Sequence, residues 1–127
     1  HTTHEGRKGE DDYGGGKNMI CIRYAEVLLM HAEALTHGAT SSTMTADQAV
    51  NVVRQRAGLG NLAGVTTKMV MDEKFAEMAM EWGTRYYDMI RLGEYSELSY
   101  DGRTFTADKA LLPYPQAQVD ALPLGGN

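Results

Sequence analysis

The sequence has 127 residues, 43% of them hydrophobic, with a formal net charge of −5 and a pI near 5.3. A chain of this length buries on the order of two thirds of its unfolded surface, and its hydrophobic share excludes disorder by composition. The acidic balance, with the twelve Lys and Arg residues scattered, excludes a nucleic-acid partner, which requires a concentrated positive field.

Residues 1–18 are polar and Gly-rich and read as a loose lead-in, with an acidic pair before Gly14, Gly15 and Gly16. His1 and His4 lie three apart in a loose terminus, a poor setting for a metal, so no metal site is assigned. Cys21 lies in the apolar run Met19-Ile20-Cys21-Ile22 and reads as a small buried hydrophobe. It follows glycines and acidic residues, not a signal-peptide stretch, so it is not a lipidation site. No apolar run approaches the ~20 residues needed to span a bilayer. The sequence starts at His1, without Met or a signal peptide, which points to a segment of something longer.

A first helix is expected from Met19 or Ile22 to His37, burying Tyr24, Val27, Leu28, Ala32 and Leu35 and stopping at Gly38. After a Ser/Thr-rich loop, Thr45-Ala46-Asp47-Gln48 has the capping-box form and opens a second helix. Ala49, Val52, Val53 and Ala57 form its apolar stripe, and Gly58 ends it. A third, longest helix is expected from near Thr67 to just before Gly93. Its stripe is Met71, Phe75, Met78, Trp82, Tyr86 and Met89, with Gly83 marking a bend or a close approach.

Residues 19–93 are therefore a helical segment and residues 94–127 an irregular one. In the latter, Asp101-Gly102 signals a turn, Leu111-Leu112-Pro113-Tyr114-Pro115 is extended, and a helical turn follows at Gln116 to Asp120. The fold class is mainly α: about three main helices paired as in TPR-like arrays, without an internal 34-residue repeat.

Several side-chain groups invite a chemical reading. Glu26, Glu33 and His37 share a helix face, but a di-iron site needs Glu-x-x-His on two helices, and neither copy is present. Glu73, Glu77 and Glu81 step by four and could be paired hydrolytic carboxylates ~5 to 9.5 Å apart; a solvated stripe with Glu81 pairing to Arg85 is the preferred reading. Trp82, Tyr86 and Tyr87 could form a sugar-stacking platform, yet their helical spacing favours core. No catalytic residue and no cofactor is assigned, and no phosphate loop, Ser-His-Asp set or zinc spacing is present.

Four blocks occur in order. They are Arg23-Tyr24-Ala25-Glu26-Val27-Leu28-Leu29 with Ala32-Glu33-Ala34; Asn51 to Leu59 (NVVRQRAGL); Glu77 to Arg91 (EMAMEWGTRYYDMIR); and Leu112-Pro113-Tyr114-Pro115-Gln116. Together they make the chain resemble the C-terminal portion of the SusD/RagB family. Trp82 stands between Glu81 and Gly83 where the family pattern has Glu and Gly adjacent, and Lys74 and Phe75 stand where it often has two arginines.

The resemblance implies a TPR-like scaffold within a lipoprotein of the outer-membrane surface, lipid-anchored through a part not included here. It also implies an oligosaccharide or other nutrient ligand, delivery to a TonB-dependent, SusC-like transporter, contact with the remainder of the SusD-like protein, and no catalysis. A free-standing helical protein-interaction module is the alternative, and a small hydrolase using the Glu stripe a third. Some of Arg23, Arg54, Arg56, Arg85 and Arg91 are expected to lock helices together through Glu26, Glu77 or Asp88. Tyr95 and Tyr100, in the irregular segment, are the glycan-contact candidates.

Overall fold

The computed structural model describes residues 20–121. The readings of residues 1–18 and of the tail after Ala121 lie outside this range. Five α-helices follow one another among the described residues: α1 (Tyr24–Thr36), α2 (Ala46–Arg56), α3 (Thr67–Glu77), α4 (Thr84–Leu92) and α5 (Gln116–Ala121). Two 3-10 turns, Tyr95–Leu98 and Ala107–Ala110, sit between α4 and α5. The architecture is mainly helical and TPR-like.

The ends of the helices follow local chemistry. At the start of α2 the capping box is complete: the Gln48 amide donates to the Thr45 hydroxyl at 3.2 Å, and the Thr45 amide donates to Gln48 Oε1 at 2.8 Å. These bonds satisfy two amides that the helix itself leaves open. α2 ends where Gly58 turns left-handed (φ 74°), letting the Leu59 amide reach back to the Arg54 carbonyl at 2.9 Å. The same device closes α4 at Gly93.

The core forms where α1 packs on both α2 and α3. Leu28, Leu29 and Ala32 of α1 meet Ala49, Val50 and Val53 of α2, Val70 and Met71 of α3 and Met89 of α4. Each large side chain buried there stabilises the fold by about 1.5–3 kcal/mol. Tyr24 and Val27, expected on the buried face of α1, are exposed, as is Val52 of α2. Leu29 and Val50 take the inner positions, because contact with two neighbouring helices shifts the buried arc from the one that apolar spacing alone suggests. Cys21 is exposed, not buried. It precedes α1 in non-helical backbone, outside the packed layer.

The single long helix expected from Thr67 to Gly93 is two helices. Met80 (φ 65°), Trp82 (φ 49°) and Gly83 (φ 63°) are left-handed and form an elbow between α3 and α4. The assumed stripe divides accordingly. Met71, Met78 and Met89 are buried, whereas Phe75, Trp82, Tyr86 and Tyr87 are exposed, contrary to the core reading of these aromatics. A change of axis at the elbow breaks the phase on which a continuous stripe depends.

Arg23 straps the elbow to the start of α1. Its guanidinium donates to the Glu77 carbonyl at 2.8 Å, to Glu77 Oε1 at 2.9 Å and to Glu81 Oε2 at 2.8 Å. The loop between α2 and α3 is held by side chains of α2. Asn51 exchanges two 2.8 Å hydrogen bonds with the backbone of Leu62, and the Asp47 carboxylate accepts from the amides of Gly64 and Val65. The two amide donors hold the Asp47 carboxyl below the usual carboxylate range.

Candidate functional site

The charged residues of the sequence blocks converge on the helix interfaces. Lys74 of α3 is buried with its ammonium 2.9 Å from Asp88 of α4 and 3.6 Å from Glu26 of α1. Asp88 also accepts from Arg91 at 3.0 Å, and Arg91 forks onto both oxygens of Glu33 on α1. A continuous chain of opposite charges thus ties α1, α3 and α4. A second set runs from Glu81 through Arg23 and Glu77 to Arg56 of α2, 2.7 Å from Glu77. A third joins Arg54 of α2 to Glu73 of α3 at 2.6 Å.

The expected arginine pairing between elements is therefore present at Arg23–Glu77 and Arg56–Glu77, whereas Arg91 meets Asp88 within α4 and crosses to α1 through Glu33. Lys74 takes Glu26 instead. Arg85 pairs with Glu97 at 3.1 Å and lies over the Phe75 ring, not beside Glu81. An i,i+4 pair between Glu81 and Arg85 requires one continuous helix, and the elbow intervenes.

The stripe Glu73, Glu77 and Glu81 is an interhelical lock in place of a solvated face. Glu73 is buried, and Glu77 nearly so. Burial pushes the Glu77 carboxyl up, but hydrogen bonds from Arg23 and Arg56 outweigh it and hold the group below the usual carboxylate range. Such a group is ionised near neutral pH and poorly suited to general-acid work. His37 lies 4.0 Å from Glu33, whose two oxygens are already engaged by Arg91. No grouping of three or more His, Cys, Asp or Glu suited to a metal occurs among the described residues.

Between the end of α1, α3, α4 and the turn Tyr95–Leu98 lies a cavity of about 220 Å³. Met71, Met89 and Leu92 provide apolar lining, and Lys68, Asp72, Arg85 and Glu97 also border it. The four charges pair alternately: Lys68 with Asp72 and Glu97, and Arg85 with the same two carboxylates.

The candidate glycan residues sit on the irregular segment. Tyr100 and Arg103 exchange backbone hydrogen bonds of 3.1 and 2.9 Å across Asp101 and Gly102, both left-handed (φ 52° and 73°). That is the twist a tight hairpin turn requires, and it follows from the Asp-Gly pair. Tyr100 is 68% exposed beside this turn. Tyr95 is half-buried, with its ring tilted over Phe105 at 6.1 Å; Phe105 in turn meets Tyr86 edge-on at 5.9 Å. The spacing rules missed this aromatic contact between α4 and the hairpin segment, because Phe105 lies 19 residues beyond Tyr86. Arg23, Glu33 and Lys74 are framework residues whose partners lie too far along the chain to read from spacing.

Comparison with known proteins places this framework. SusD-like protein P2 of Formosa agariphila is 34% identical over 99 residues, which cover 68% of this chain and 19% of that protein. The solved structure of surface glycan-binding protein A from Bacteroides thetaiotaomicron, in complex with laminarihexaose, superposes with a TM-score of 0.67 at 36% identity. That match covers 78% of this chain and 22% of the other. The chain thus spans about a fifth of the length of these relatives. The sequence model of the SusD family matches from residue 2 to residue 124, and the chain belongs to that family.

Proposed function

We propose that this chain is the C-terminal scaffold of a SusD-like cell-surface glycan-binding protein, one that captures oligosaccharide and delivers it to a TonB-dependent transporter. The observation that carries the reading is the likeness at 36% identity to a surface glycan-binding protein solved with laminarihexaose. The role of scaffold rests on how the charged residues are used: Arg23 pairs with Glu77, Arg54 with Glu73, Asp88 with Lys74 and Arg91 with Glu33, each pair joining one element to another. Lipid anchoring to the outer membrane through a part beyond this chain belongs to the same proposal. Among the described residues, no helix is long and apolar enough to cross a membrane.

Within the segment, Tyr100 is suited to stack on a sugar ring, since its exposed ring offers an apolar face with a polar tip. Tyr95 supports the neighbouring surface through Phe105. Neither tyrosine is assigned a catalytic role, and no cofactor is invoked.

The test is a glycan array followed by calorimetric titration of the full polypeptide encoded with this chain, with laminari-oligosaccharides tried first. Saturable binding to an oligosaccharide is the expected result, together with co-purification of a TonB-dependent, SusC-like transporter from outer membranes. Capture of a protein partner with no glycan binding would replace the reading with that of a helical interaction module.

A further inference from the structure

α2 turns its charges away from one of its faces. Asp47 accepts from the Gly64 and Val65 amides, Arg54 pairs with Glu73, and Arg56 pairs with Glu77. The helix has no other ionisable residue. Gln48, Val52 and Gln55 recur at steps of four and three and share one side of it. With Thr43 and Met44 ahead of the helix and Asn61 beyond its end, they line a groove of about 380 Å³. No ionisable side chain is part of the lining; His31 of α1 meets the Met44 carbonyl at 3.3 Å from outside it.

The amides of this groove are held in set directions. Gln48 Oε1 accepts from the Thr45 amide at 2.8 Å, which leaves Gln48 Nε2 as a donor. Gln55 Nε2 donates to Asn61 Oδ1 at 3.0 Å, which leaves Gln55 Oε1 as an acceptor and Asn61 Nδ2 as a donor. Asn51 bonds the Leu62 backbone through both of its amide atoms, at 2.8 Å each, and so holds the neighbouring Asn61 close to α2. The floor is aliphatic, with Val52 exposed and Met44 half-buried.

We propose that this groove is an accessory oligosaccharide contact, taking a neutral stretch of sugar through Gln48, Gln55 and Asn61 over Met44 and Val52. The proposal rests on the glycan-binding reading for its choice of ligand, and it places a contact on α2, apart from the hairpin that carries Tyr100. From Gln48 to Gln55 the helix rises about 10 Å, the length of about two hexose units. A sugar hydroxyl both donates and accepts, which suits a mixed set of amide groups, and the CH faces of the ring suit the aliphatic floor. A charged ligand finds no counter-charge in the lining. A peptide captured as an added strand needs a sheet edge, which a helix does not offer. With no aromatic ring in the lining, the contact is weak, half-saturating at about 1 mM or above.

The test uses the full polypeptide labelled with methyl-13C methionine, the Met44 resonance being identified by Met44→Leu. Laminarihexaose, maltohexaose and cellohexaose are titrated separately to about 20 mM. A saturable shift of the Met44 methyl with at least one of them is expected. Gln55→Ala and Asn61→Ala should each raise the half-saturating concentration about two- to tenfold, with the remaining methyl resonances in place as the check on folding. A Met44 methyl that none of the three sugars moves would overturn the proposal, as would a response that either substitution leaves unchanged. An equal shift with the neutral peptide acetyl-tetraalanine amide would assign the groove to peptide and equally overturn it. If calorimetry finds no sugar binding while Met44 still responds, the capture reading fails and the groove contact stands.

Discussion

Lys74 shows most sharply what individual residues contribute. Its ammonium is buried between carboxylates of two other helices, Asp88 at 2.9 Å and Glu26 at 3.6 Å. A buried ion pair gains little over a well-packed apolar pair, yet removing one partner strands the other charge. Replacing Lys74 with Met should therefore lower stability by about 3–5 kcal/mol, read from urea unfolding; a loss below about 1 kcal/mol would mean that water already screens the two carboxylates. Glu77 gives the pH dependence. Its carboxyl is depressed in the folded state, so its contribution is fully present above the ordinary glutamate value of about 4.3. That contribution is lost as pH falls from there through the lower folded value. Glu77→Gln should lower the melting temperature at pH 7 and flatten its decline in acid. An unchanged acid limb would show that other carboxylates control it.

At the scale of elements, the elbow between α3 and α4 departs most from an ideal helix. Met80 is left-handed at φ 65° with its side chain fully exposed. For a residue with a Cβ that conformation costs roughly 1–2 kcal/mol, and no packing around Met80 offsets it. Met80→Gly should raise the melting temperature by a few degrees, the relief of strain exceeding the added freedom of the unfolded chain by about 0.5–1 kcal/mol. A fall would mean that the Met80 side chain is covered in the full polypeptide. Helix existence and stops were readable from Thr45, Gln48, Gly58 and Gly93, because caps act within one turn of chain. The elbow was legible only as a bend at Gly83, with Trp82 standing inside a motif where the family pattern has none as a second mark; the full break into two helices was not. Helical spacing cannot register a change of axis. The ion pairs were half legible: the arginines were recognisable, but Arg91–Glu33 joins residues 58 apart, and only the packing of α1 on α3, with α4 folded back at the elbow, brings them together.

For the whole molecule, family membership rests on the match over residues 2–124, and in the structure the ordered blocks meet one another. Arg23, Glu33, Glu77, Asp88 and Arg91 complete one another across three helices and the elbow. The proposed glycan contact is less legible, because an aromatic that stacks on a sugar acts by exposure and not by periodicity. Tyr100 could be singled out only by its place beside a turn. On the proposed reading, these residues hold a glycan-binding protein together without touching its ligand. The most direct test is calorimetric titration of the full polypeptide carrying Lys74→Met with the oligosaccharide that the array identifies, at a temperature where the variant remains folded. The affinity should stay within about twofold of the parent despite the lowered unfolding free energy. Loss of sugar binding by a variant that is still fully folded would contradict it.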